Sequence, residues 1–283
     1  MEIVPDQGRV RCALFPEMAN SFFQPGERRA AKVQELFAAI APRYDLINDL
    51  QSFGLHRYWK SRAVRLARPR PGEKVLDVCC GTGDLARALA RCQAEVIGLD
   101  FSMPMLEFAH AKREPLHASA CSPAEARPER TTETTRGQLQ FVCGDAQELP
   151  FRDNTFEIVT IGYGLRNLAH WETGLQEMAR VAKPGGRLVV LDFGKPEGPL
   201  WRSAYFAYLR MLVPCLGRVF CGNASAYAYI LESLKHYPAQ RGVASKMREL
   251  GLTGIQMLEF LGGAMSINYG VKPPENLASP NSV

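Results

Sequence analysis

The sequence predicts an α/β fold: a doubly wound, mostly parallel seven-stranded sheet with an N-terminal helical cover. Short apolar runs alternate with helical segments between residues 74 and 193, which is typical of parallel strands with helices on both faces. Glycines follow the first run, in VLDVCCGTGDLA, at the edge where such sheets bind ligands. Two closing runs, GIQMLEF and AMSINYGV, predict a hairpin that adds an antiparallel edge.

The predicted elements of the core follow in chain order. Five runs are typical of buried strands: KVLDVCC, EVIGLD, LQFVCGDA, FEIVTIGYG and GRLVVLDF. The helices between them are predicted in DLARALARC, MPMLEFAHAK and HWETGLQEMARVA, and a further helix in RGVASKMREL precedes the hairpin. These elements define a core domain at residues 71–271.

Helices are also predicted ahead of the core. Residues 30–41 carry an apolar face at helical spacing, which consists of Val33, Leu36, Phe37 and Ile40. Pro42 ends this helix. A second helix is predicted from His56 to about Ala67, before the loop ARPRPGE. Residues 30–70 therefore form an N-terminal helical cover.

Three segments lack the pattern of a packed domain. Residues 1–29 and 272–283 are expected to be a flexible N-terminus and a flexible tail. Residues 113–137 are rich in Pro, Ala, Ser, Thr and mixed charge and contain hardly any large apolar residue. Because such a segment buries too little surface to offset its ordering entropy, we expect a disordered surface insertion.

Composition narrows the classes of function. The chain has 283 residues and is 46% hydrophobic. Its net charge of +5 is too small for a dedicated nucleic-acid binder, but it suits an anionic membrane surface. The eight cysteines form no CxxC pair, so we expect free thiols and no metal site. No uncharged window is long enough to span a membrane and no secretory signal is present. The expected location is the cytoplasm, with peripheral contact at the inner face of the membrane as an option.

The glycine loop allows two kinds of ligand. Gly81, Thr82 and Gly83 fit the loose dinucleotide pattern GxGxx(G/A). In a dinucleotide site, however, a phosphate lies at the start of the helix, and here that position is Asp84. A ligand with a cationic end suits this loop better than NAD does.

S-adenosyl-L-methionine is such a ligand, because it carries an ammonium and a sulfonium and no phosphate. Asp100, at the end of the second predicted strand, could accept hydrogen bonds from both ribose hydroxyls. Asp145 after the third strand offers a polar partner for the adenine edge, and Ala146 is small enough to admit the ring. Taken alone, Asp84 could be a helix cap and Asp145 a loop cap, but the ordered set of Gly81, Gly83, Asp100 and Asp145 favours the cofactor.

The arrangement resembles class I S-adenosylmethionine-dependent methyltransferases, which have a Rossmann-like sheet with an antiparallel seventh strand. It is most similar to the ubiquinone/menaquinone biosynthesis C-methyltransferase family. The segments that carry the resemblance cover most of residues 30–271: LFAAIAPRYDLINDLQSFGLHRYWK, VLDVCCGTGDLA, GLDFSMPML, GDAQELPFRDNTFEIVTIGYGLRNL, EMARVAKPGGRLVVLDFGKP, YAYILESLKHYP and FLGGAMSINYG. RYDLIND, SFGLHRYW and GLRN are the most specific of these.

The resemblance implies methyl transfer from S-adenosyl-L-methionine to a ring carbon of a polyprenylated quinol, such as 2-demethylmenaquinol, in menaquinone or ubiquinone biosynthesis. By position, the family's cofactor contacts correspond to Thr82, Asp100, Asp145 and Ala146. Gly162 stands where some members have a serine, so no cofactor contact is assigned to it. The insertion at 113–137 is a further departure from the family pattern.

Methylation at carbon requires that the enzyme align two large partners and favour the quinolate. Arg166 in GLRN follows the fourth strand and could stabilise the developing phenolate, and Asn167 could orient the same hydrogen-bond network. Arg166 could instead form an ordinary surface salt bridge. Tyr44 is the third catalytic candidate. The predicted substrate contacts are Asp45, His56 and Tyr163. Tyr44, Asp45 and His56 could instead form a hydrogen-bond cluster that only docks the N-terminal helices onto the core domain.

Residues 197–222 are apolar and aromatic, interrupted by Arg202, Arg210 and Arg218 at eight-residue intervals. Eight residues are close to two helical turns, so the arginines are expected on one face of an amphipathic helix. Such a helix fits a membrane surface or a groove for a prenyl tail, and equally a lid or a dimer contact.

Three other functions compete with a quinol C-methyltransferase. The first is a methyltransferase for another prenylated ring or sterol-like substrate, which should lack RYDLIND and GLRN. The second is a non-catalytic S-adenosylmethionine-binding protein in a quinone-synthesis complex, against which the intact Arg166 and Tyr44 count. The third is an NAD oxidoreductase, disfavoured by Asp84. A homodimer or a quinone-synthesis complex is compatible with each methyltransferase reading.

Overall fold

The computed structural model describes residues 33, 35–38, 40–112, 138–221 and 224–274. The strands of its sheet are β1 (Lys74–Val78), β2 (Glu95–Asp100), β3 (Leu139–Cys143), β4 (Phe156–Gly162), β5 (Ala182–Phe193), β6 (Thr253–Phe260) and β7 (Met265–Val271). Their spatial order is β3-β2-β1-β4-β5-β7-β6. The first five strands run parallel, and β7 is antiparallel to both β5 and β6. The predicted seven-stranded sheet with a closing hairpin is confirmed.

Helices cover both faces of this sheet. They are α1 (Tyr44–Ser52), α2 (Leu55–Ala67), α3 (Asp84–Ala90), α4 (Met103–Ala111), α5 (Trp171–Val181), α6 (Pro199–Cys221), α7 (Ala224–His236) and α8 (Ala239–Glu249). Residues 33, 35–38 and 40 are also helical, and a short 3-10 turn, Ala41–Arg43, leads from them into α1.

The central strands are buried on both sides, as their nearly continuous apolar runs predict. In β1, Val75 packs into one apolar cluster while Leu76 and Val78 pack into the other, and none of the three has measurable exposure. Successive strand residues point to opposite faces, so one short run supplies both clusters. This rigid sheet fixes the carboxyl ends of β1, β2, β4 and β5 beside one another.

The cover contains a helix that the sequence pattern did not predict, α1, which lies between the two predicted helices. Helices α1 and α2 are separated by Phe53 and Gly54, both of which adopt a left-handed backbone conformation. Their N–H groups donate to the carbonyl oxygens of Leu50 and Asp49, which ends α1 in the manner of a left-handed C-cap. Helix α7 was not predicted either, although Tyr227, Ile230, Leu231 and Leu234 in ASAYAYILESLKH stand at the spacing of an apolar helical face.

Two expectations about particular segments need comment. Cys92 is disulfide-bonded, so the expectation of free thiols is wrong at this position, whereas Cys79, Cys80, Cys143 and Cys215 are free. Sequence spacing misses such a bond because disulfide pairing depends on distance in the fold. The predictions for 1–29, for the insertion 113–137 and for the end of the 272–283 tail lie outside the described residues. Among the helices that are described, none combines the length and the apolar character that crossing a membrane requires.

Candidate active site

Two neighbouring cavities lie between the cover and the carboxyl edge of the sheet. The larger cavity encloses about 400 Å³, and apolar and aromatic side chains from the cover, α6, α7 and the β6–β7 turn form most of its wall. The smaller cavity, about 80 Å³, lies over the glycine loop and the ends of β2 and β4. Phe37, Tyr44 and Tyr163 line both cavities. These three rings are therefore the partition across which two ligands would meet.

The glycine loop after β1 shapes the floor of the smaller cavity. The Gly81 N–H donates to Oδ2 of Asp100 at 2.8 Å, and the Ser102 N–H donates to Oδ1 at 2.9 Å. Gly83 has a positive φ of 80°, and a Cβ there would lie 2.7 Å from the Phe141 ring. Only glycine satisfies both conditions, so the second glycine of the motif is required by backbone conformation and by packing.

The rest of the smaller cavity has the polar groups that a nucleoside requires. Gly81, Asp100, Asp145 and Ala146 all line it, as the sequence predicts for cofactor contacts. Burial raises the pKa of Asp100, although hydrogen bonds from backbone N–H groups oppose that shift. Asn167 also lines this cavity, and its buried Oδ1 has no hydrogen-bond partner among the described residues. A buried acceptor without a donor is costly, so a ligand that donates a hydrogen bond fits here.

S-adenosylmethionine fits this set of residues. Asp100 and Asp145 provide carboxylates for hydroxyl and amino donors, the glycines let a ligand approach the backbone, and Ala146 leaves room for a ring. Since ligand pockets usually enclose about 300–1,000 Å³, the 80 Å³ cavity must widen to admit a molecule of that size. Phe37 and Tyr44 are the cover residues that line this cavity together with Val33.

An ion network ties the cover to the glycine loop. Thr82 donates its hydroxyl to Oδ1 of Asp45 at 2.8 Å. Lys112 lies 2.6 Å from Oδ2 of Asp45 and 2.6 Å from Oδ1 of Asp84, and it also donates to Thr82 Oγ1 at 3.0 Å. Lys60 of α2 completes the network at 2.8 Å from Asp84. The cover is thus fixed to the loop at both of its helices.

This network changes how two predicted residues are understood. Asp45, predicted to bind substrate, lies in the link between cover and loop, and so does Thr82, predicted to contact the cofactor. Burial would raise the pKa of Asp84, but Lys60 and Lys112 hold it well below its usual range. The negative charge of Asp84 is therefore compensated, and it excludes a phosphate ligand less strongly than the sequence suggests.

Arg166 lies in a 3-10 turn, Leu165–Asn167, directly after β4, and its side chain lines the larger cavity. Its Nη1 donates to Oδ1 of Asp192 at 2.8 Å and to the carbonyl oxygen of Tyr163. Its guanidinium lies 4.6 Å from the centre of the Phe193 ring. Burial would lower the pKa of Arg166, but Asp192 raises it, so the side chain remains a cation. Arg166 therefore presents a fixed positive charge to the cavity and is not a surface salt bridge.

The other predicted polar residues of the larger cavity are neutral at ordinary pH. Burial raises the pKa of Tyr44 to about 12, although a hydrogen bond with Asn48 and the charge of Arg166 both act to lower it. Burial likewise lowers the pKa of His56, whose Nδ1 lies 3.0 Å from Ser52 Oγ. Burial raises the pKa of Tyr163 well above its usual value, and its hydroxyl has no hydrogen-bond partner among the described residues. These groups can exchange hydrogen bonds with a ligand without carrying charge.

The structure brings the predicted residues together in two groups. Tyr44, His56, Tyr163 and Arg166 line the larger cavity, and Asn167 lines the smaller one with the cofactor candidates. Sequence reasoning missed Asp192 and the two lysines of the ion network. Asp192 is the penultimate residue of β5, in LDF, so its place at the carboxyl edge was a signal that could have found it. The lysines gave no such signal, since their partners lie 24 or more residues away in sequence.

Comparison with solved structures supports the fold. A methyltransferase chain in complex with the Trm112 methyltransferase activator of Haloferax volcanii superposes with a TM-score of 0.52 at 18% identity, covering 84% of this chain and 97% of that one. A SAM-dependent methyltransferase of Thermotoga maritima gives a TM-score of 0.51 at 19% identity, covering 84% and 99%. At these identities the likeness concerns the fold alone, and it confirms the predicted Rossmann-like class.

Comparison with known sequences identifies the family. The chain is 39% identical over 251 residues to the demethylmenaquinone methyltransferase of Desulfitobacterium hafniense, covering 88% of this chain and 92% of that protein. It is 36% identical over 252 residues to the ubiquinone/menaquinone biosynthesis C-methyltransferase UbiE of Stutzerimonas stutzeri, with the same coverage. Residues 26–272 match the ubiE/COQ5 methyltransferase family. The resemblance found in the sequence motifs is confirmed: the chain belongs to the ubiE/COQ5 methyltransferase family.

Proposed function

We propose that the protein transfers a methyl group from S-adenosyl-L-methionine to a ring carbon of a polyprenylated quinol, with 2-demethylmenaquinol as the leading substrate. The observation that carries this proposal is the pair of cavities separated by Phe37, Tyr44 and Tyr163. One cavity has the polar residues of a nucleoside site, and the other is large, apolar and supplied with one fixed cation, Arg166.

The larger cavity suits a lipid quinol in both size and chemistry. Its volume of about 400 Å³ lies within the range of ligand pockets. Aromatic and aliphatic walls bind the ring and the start of a prenyl chain, while Tyr44, Tyr163 and His56 offer hydrogen bonds to quinol oxygens. The same residues exclude water, which strengthens the field of Arg166 inside the cavity.

In the proposed mechanism, S-adenosylmethionine supplies an electrophilic methyl group when it is bound. Arg166 stabilises the negative charge that develops on a quinol oxygen as its hydroxyl proton passes to water, and this raises the electron density at the ring carbon next to it. Once that carbon carries the methyl group, its own proton returns through water to the oxygen and restores the quinol, so that one proton is released in each turnover. Neutral Tyr44 and Tyr163 donate hydrogen bonds to quinol oxygens, and Asn167 orients the cofactor side through its unpaired Oδ1. We assign the cofactor contacts to Gly81, Gly83, Asp100, Asp145 and Ala146, with Thr82 acting through the cover. We keep residues 30–70 as the cover and 71–271 as the methyltransferase domain.

The test is turnover by the purified protein with S-adenosylmethionine and a short-tailed 2-demethylmenaquinol kept reduced, followed by mass spectrometry of the quinone. We expect a gain of one methyl group, and a loss of turnover in Arg166→Ala with retained cofactor binding. Arg65→Ala, an exposed arginine on α2, is the matched control and should behave as wild type. Unchanged turnover in Arg166→Ala would eliminate the proposed role of this cation.

Parallel assays separate the alternatives. Turnover of a demethylated benzoquinol as well would extend the reaction to ubiquinone biosynthesis. Turnover of a sterol or another prenylated ring in place of either quinol would favour the broader methyltransferase reading. Cofactor binding without turnover on any of them would favour a non-catalytic protein of a quinone-synthesis complex.

We also propose that the mouth of the larger cavity contacts a membrane. Phe53, Trp201 and Leu261 line this cavity and are exposed, and Leu200 beside Trp201 is 88% exposed. Aromatic and aliphatic side chains of this kind insert at a bilayer interface, from which a prenylated substrate could enter directly. Exposed arginines along α6, at positions 202, 210 and 218, would face anionic headgroups.

Vesicle flotation tests this contact. We expect the wild type to float with anionic phospholipid vesicles and Phe53→Ser/Leu200→Ser to remain in solution. Met257→Ser, which removes a 40% exposed side chain from the edge strand β6, is the control. If the wild type does not float, light scattering will show whether a homodimer covers the same apolar rim.

A further inference from the structure

The carboxylate of Asp192 holds Arg166 at two points. Asp192 is the penultimate residue of β5 and is 1% exposed, and Arg166 is 6% exposed. Oδ1 of Asp192 accepts from Arg166 Nη1 at 2.8 Å, and Oδ2 accepts from the Arg166 backbone N–H at 3.1 Å. One carboxylate therefore fixes both the turn that carries the arginine and the guanidinium at its end.

Further contacts restrict the guanidinium in other directions. Nη1 also donates to the carbonyl oxygen of Tyr163, and the Phe193 ring lies against the guanidinium at 4.6 Å. Oδ1 of Asp192 in addition accepts the Phe193 N–H at 2.8 Å. An arginine side chain has many rotamers, so holding it in one orientation requires such a set of contacts.

The ion pair is oriented with respect to the larger cavity. Arg166 lines this cavity, whereas Asp192 lies behind it and is not part of the wall. The positive end of the pair thus faces the cavity and the negative end faces the sheet. A buried arginine without its partner would be strongly destabilised and would turn toward other acceptors or toward water.

We propose that Asp192 is a positioning residue for methyl transfer: it points the guanidinium of Arg166 at the oxygen that becomes negative. The inference rests on the proposed function and deepens it. Asp192 does not touch the substrate and does not take its proton, because it is not part of the wall of the larger cavity. It acts only through Arg166, which is preorganisation in the usual catalytic sense.

A double-mutant cycle in turnover tests this dependence. We expect Asp192→Asn to lower kcat by about 10- to 100-fold while the Kd for S-adenosylmethionine stays within about three-fold of wild type. Arg166→Met should show a similar or larger loss, and Arg166→Met/Asp192→Asn should be no worse than Arg166→Met alone. Losses that multiply would overturn the proposal, since Asp192 would then act independently of Arg166. The matched control is Asp153→Asn, which breaks the surface ion pair with Arg180 and should leave kcat unchanged.

A second measurement does not depend on turnover. A nitronaphthol bound in the larger cavity reports its own ionisation by absorbance, so its bound pKa measures the field of Arg166. We expect the wild type to lower this pKa, and both Asp192→Asn and Arg166→Met to return it toward its value in water. A further decrease in Asp192→Asn would overturn positioning, because Asp192 would then only weaken the field of a well-placed cation.

The two measurements separate this inference from the proposed function. If Asp192→Asn loses the probe shift of the wild type but the wild type does not methylate a quinol, Asp192 still positions Arg166 and the proposed substrate fails. If the wild type methylates the quinol and Asp192→Asn does so equally well, positioning fails alone. If Asp192→Asn does not fold, Asp192→Glu takes its place, because it keeps the charge but moves it by one methylene. Asp192→Glu must then lower kcat and raise the probe pKa relative to wild type. Wild-type values for both would refute the proposal.

Discussion

Tyr44→Phe tests whether the tyrosine of the partition is a hydrogen-bond donor or a base. The substitution removes one oxygen and keeps the ring, so the wall between the two cavities stays in place. Burial raises the pKa of Tyr44 to about 12. At about pH 8 only on the order of one molecule in 10⁴ would carry the tyrosinate, which is too few for an efficient base.

The size of the expected effect follows from this neutral state. A neutral phenol that donates to a developing quinolate contributes about 1.5–3 kcal/mol, the usual value for hydrogen bonds to charged groups. Its loss should therefore lower kcat by about 10- to 150-fold. The pH profile of kcat between about pH 6 and pH 9 should keep its shape, because the residue that was removed does not titrate in this range.

Steady-state kinetics with a short-tailed 2-demethylmenaquinol measure both quantities. Tyr58→Phe, which changes a half-exposed tyrosine on α2 outside both cavities, controls for general effects of the substitution and should leave kcat unchanged. Loss of one limb of the pH profile in Tyr44→Phe, with a fall in kcat beyond about 10³-fold, would refute the reasoning and identify Tyr44 as the base.

Three further predictions concern the loop and the strands beneath it. Asp100→Ala should weaken S-adenosylmethionine binding by at least about ten-fold in calorimetry, because this buried carboxylate accepts hydrogen bonds from the glycine loop and is assigned to bind the ligand. A wild-type Kd would contradict that assignment. Gly164→Ala places a Cβ 2.4 Å from the Cβ of Cys79 and should lower the free energy of unfolding by about 1–3 kcal/mol in urea titration. Burial raises the pKa of Asp77 to about 7, so the folded state retains a proton that the unfolded state loses near pH 4, and stability falls as the pH rises from 4 through 7. Asp77→Asn should flatten that fall between about pH 5 and pH 8, and an unchanged slope would contradict the shift.

The sequence predicted what depends on local pattern and on the ends of parallel strands. Gly81, Gly83 and Asp100 were found because the loop and the next strand end are close in sequence and must meet at one edge of the sheet. Asp192 belongs to the same edge, but it lies in no motif of its own, so the sequence pattern did not single it out. Sequence placed Arg166 at this edge, but only the structure shows which side of its ion pair faces the cavity.

Contacts between distant helices were beyond sequence reasoning. Asp45 was assigned to substrate because its carboxylate can form hydrogen bonds with quinol oxygens. Successive helical residues point in different directions, however, and Asp45 contacts Lys112 and Thr82. Lys112 reaches across 67 residues to make that contact, and neither spacing nor amphipathic pattern indicates it. The resemblance supplied residue identities, but the side on which each residue lies came from tertiary packing.

The position of β7 has a consequence for synthesis on the ribosome. This strand is the last element of the described chain, yet it lies between β5 and β6 in the sheet. Ala264 and Met265, at its start, also form part of the wall of the larger cavity. A nascent chain can therefore complete its glycine loop early, but it has neither the complete sheet nor the complete wall of the larger cavity until β7 emerges. Until then the edge of β5 and the apolar side chains of the larger cavity are exposed, and in this interval the chain is most open to aggregation and to chaperone binding.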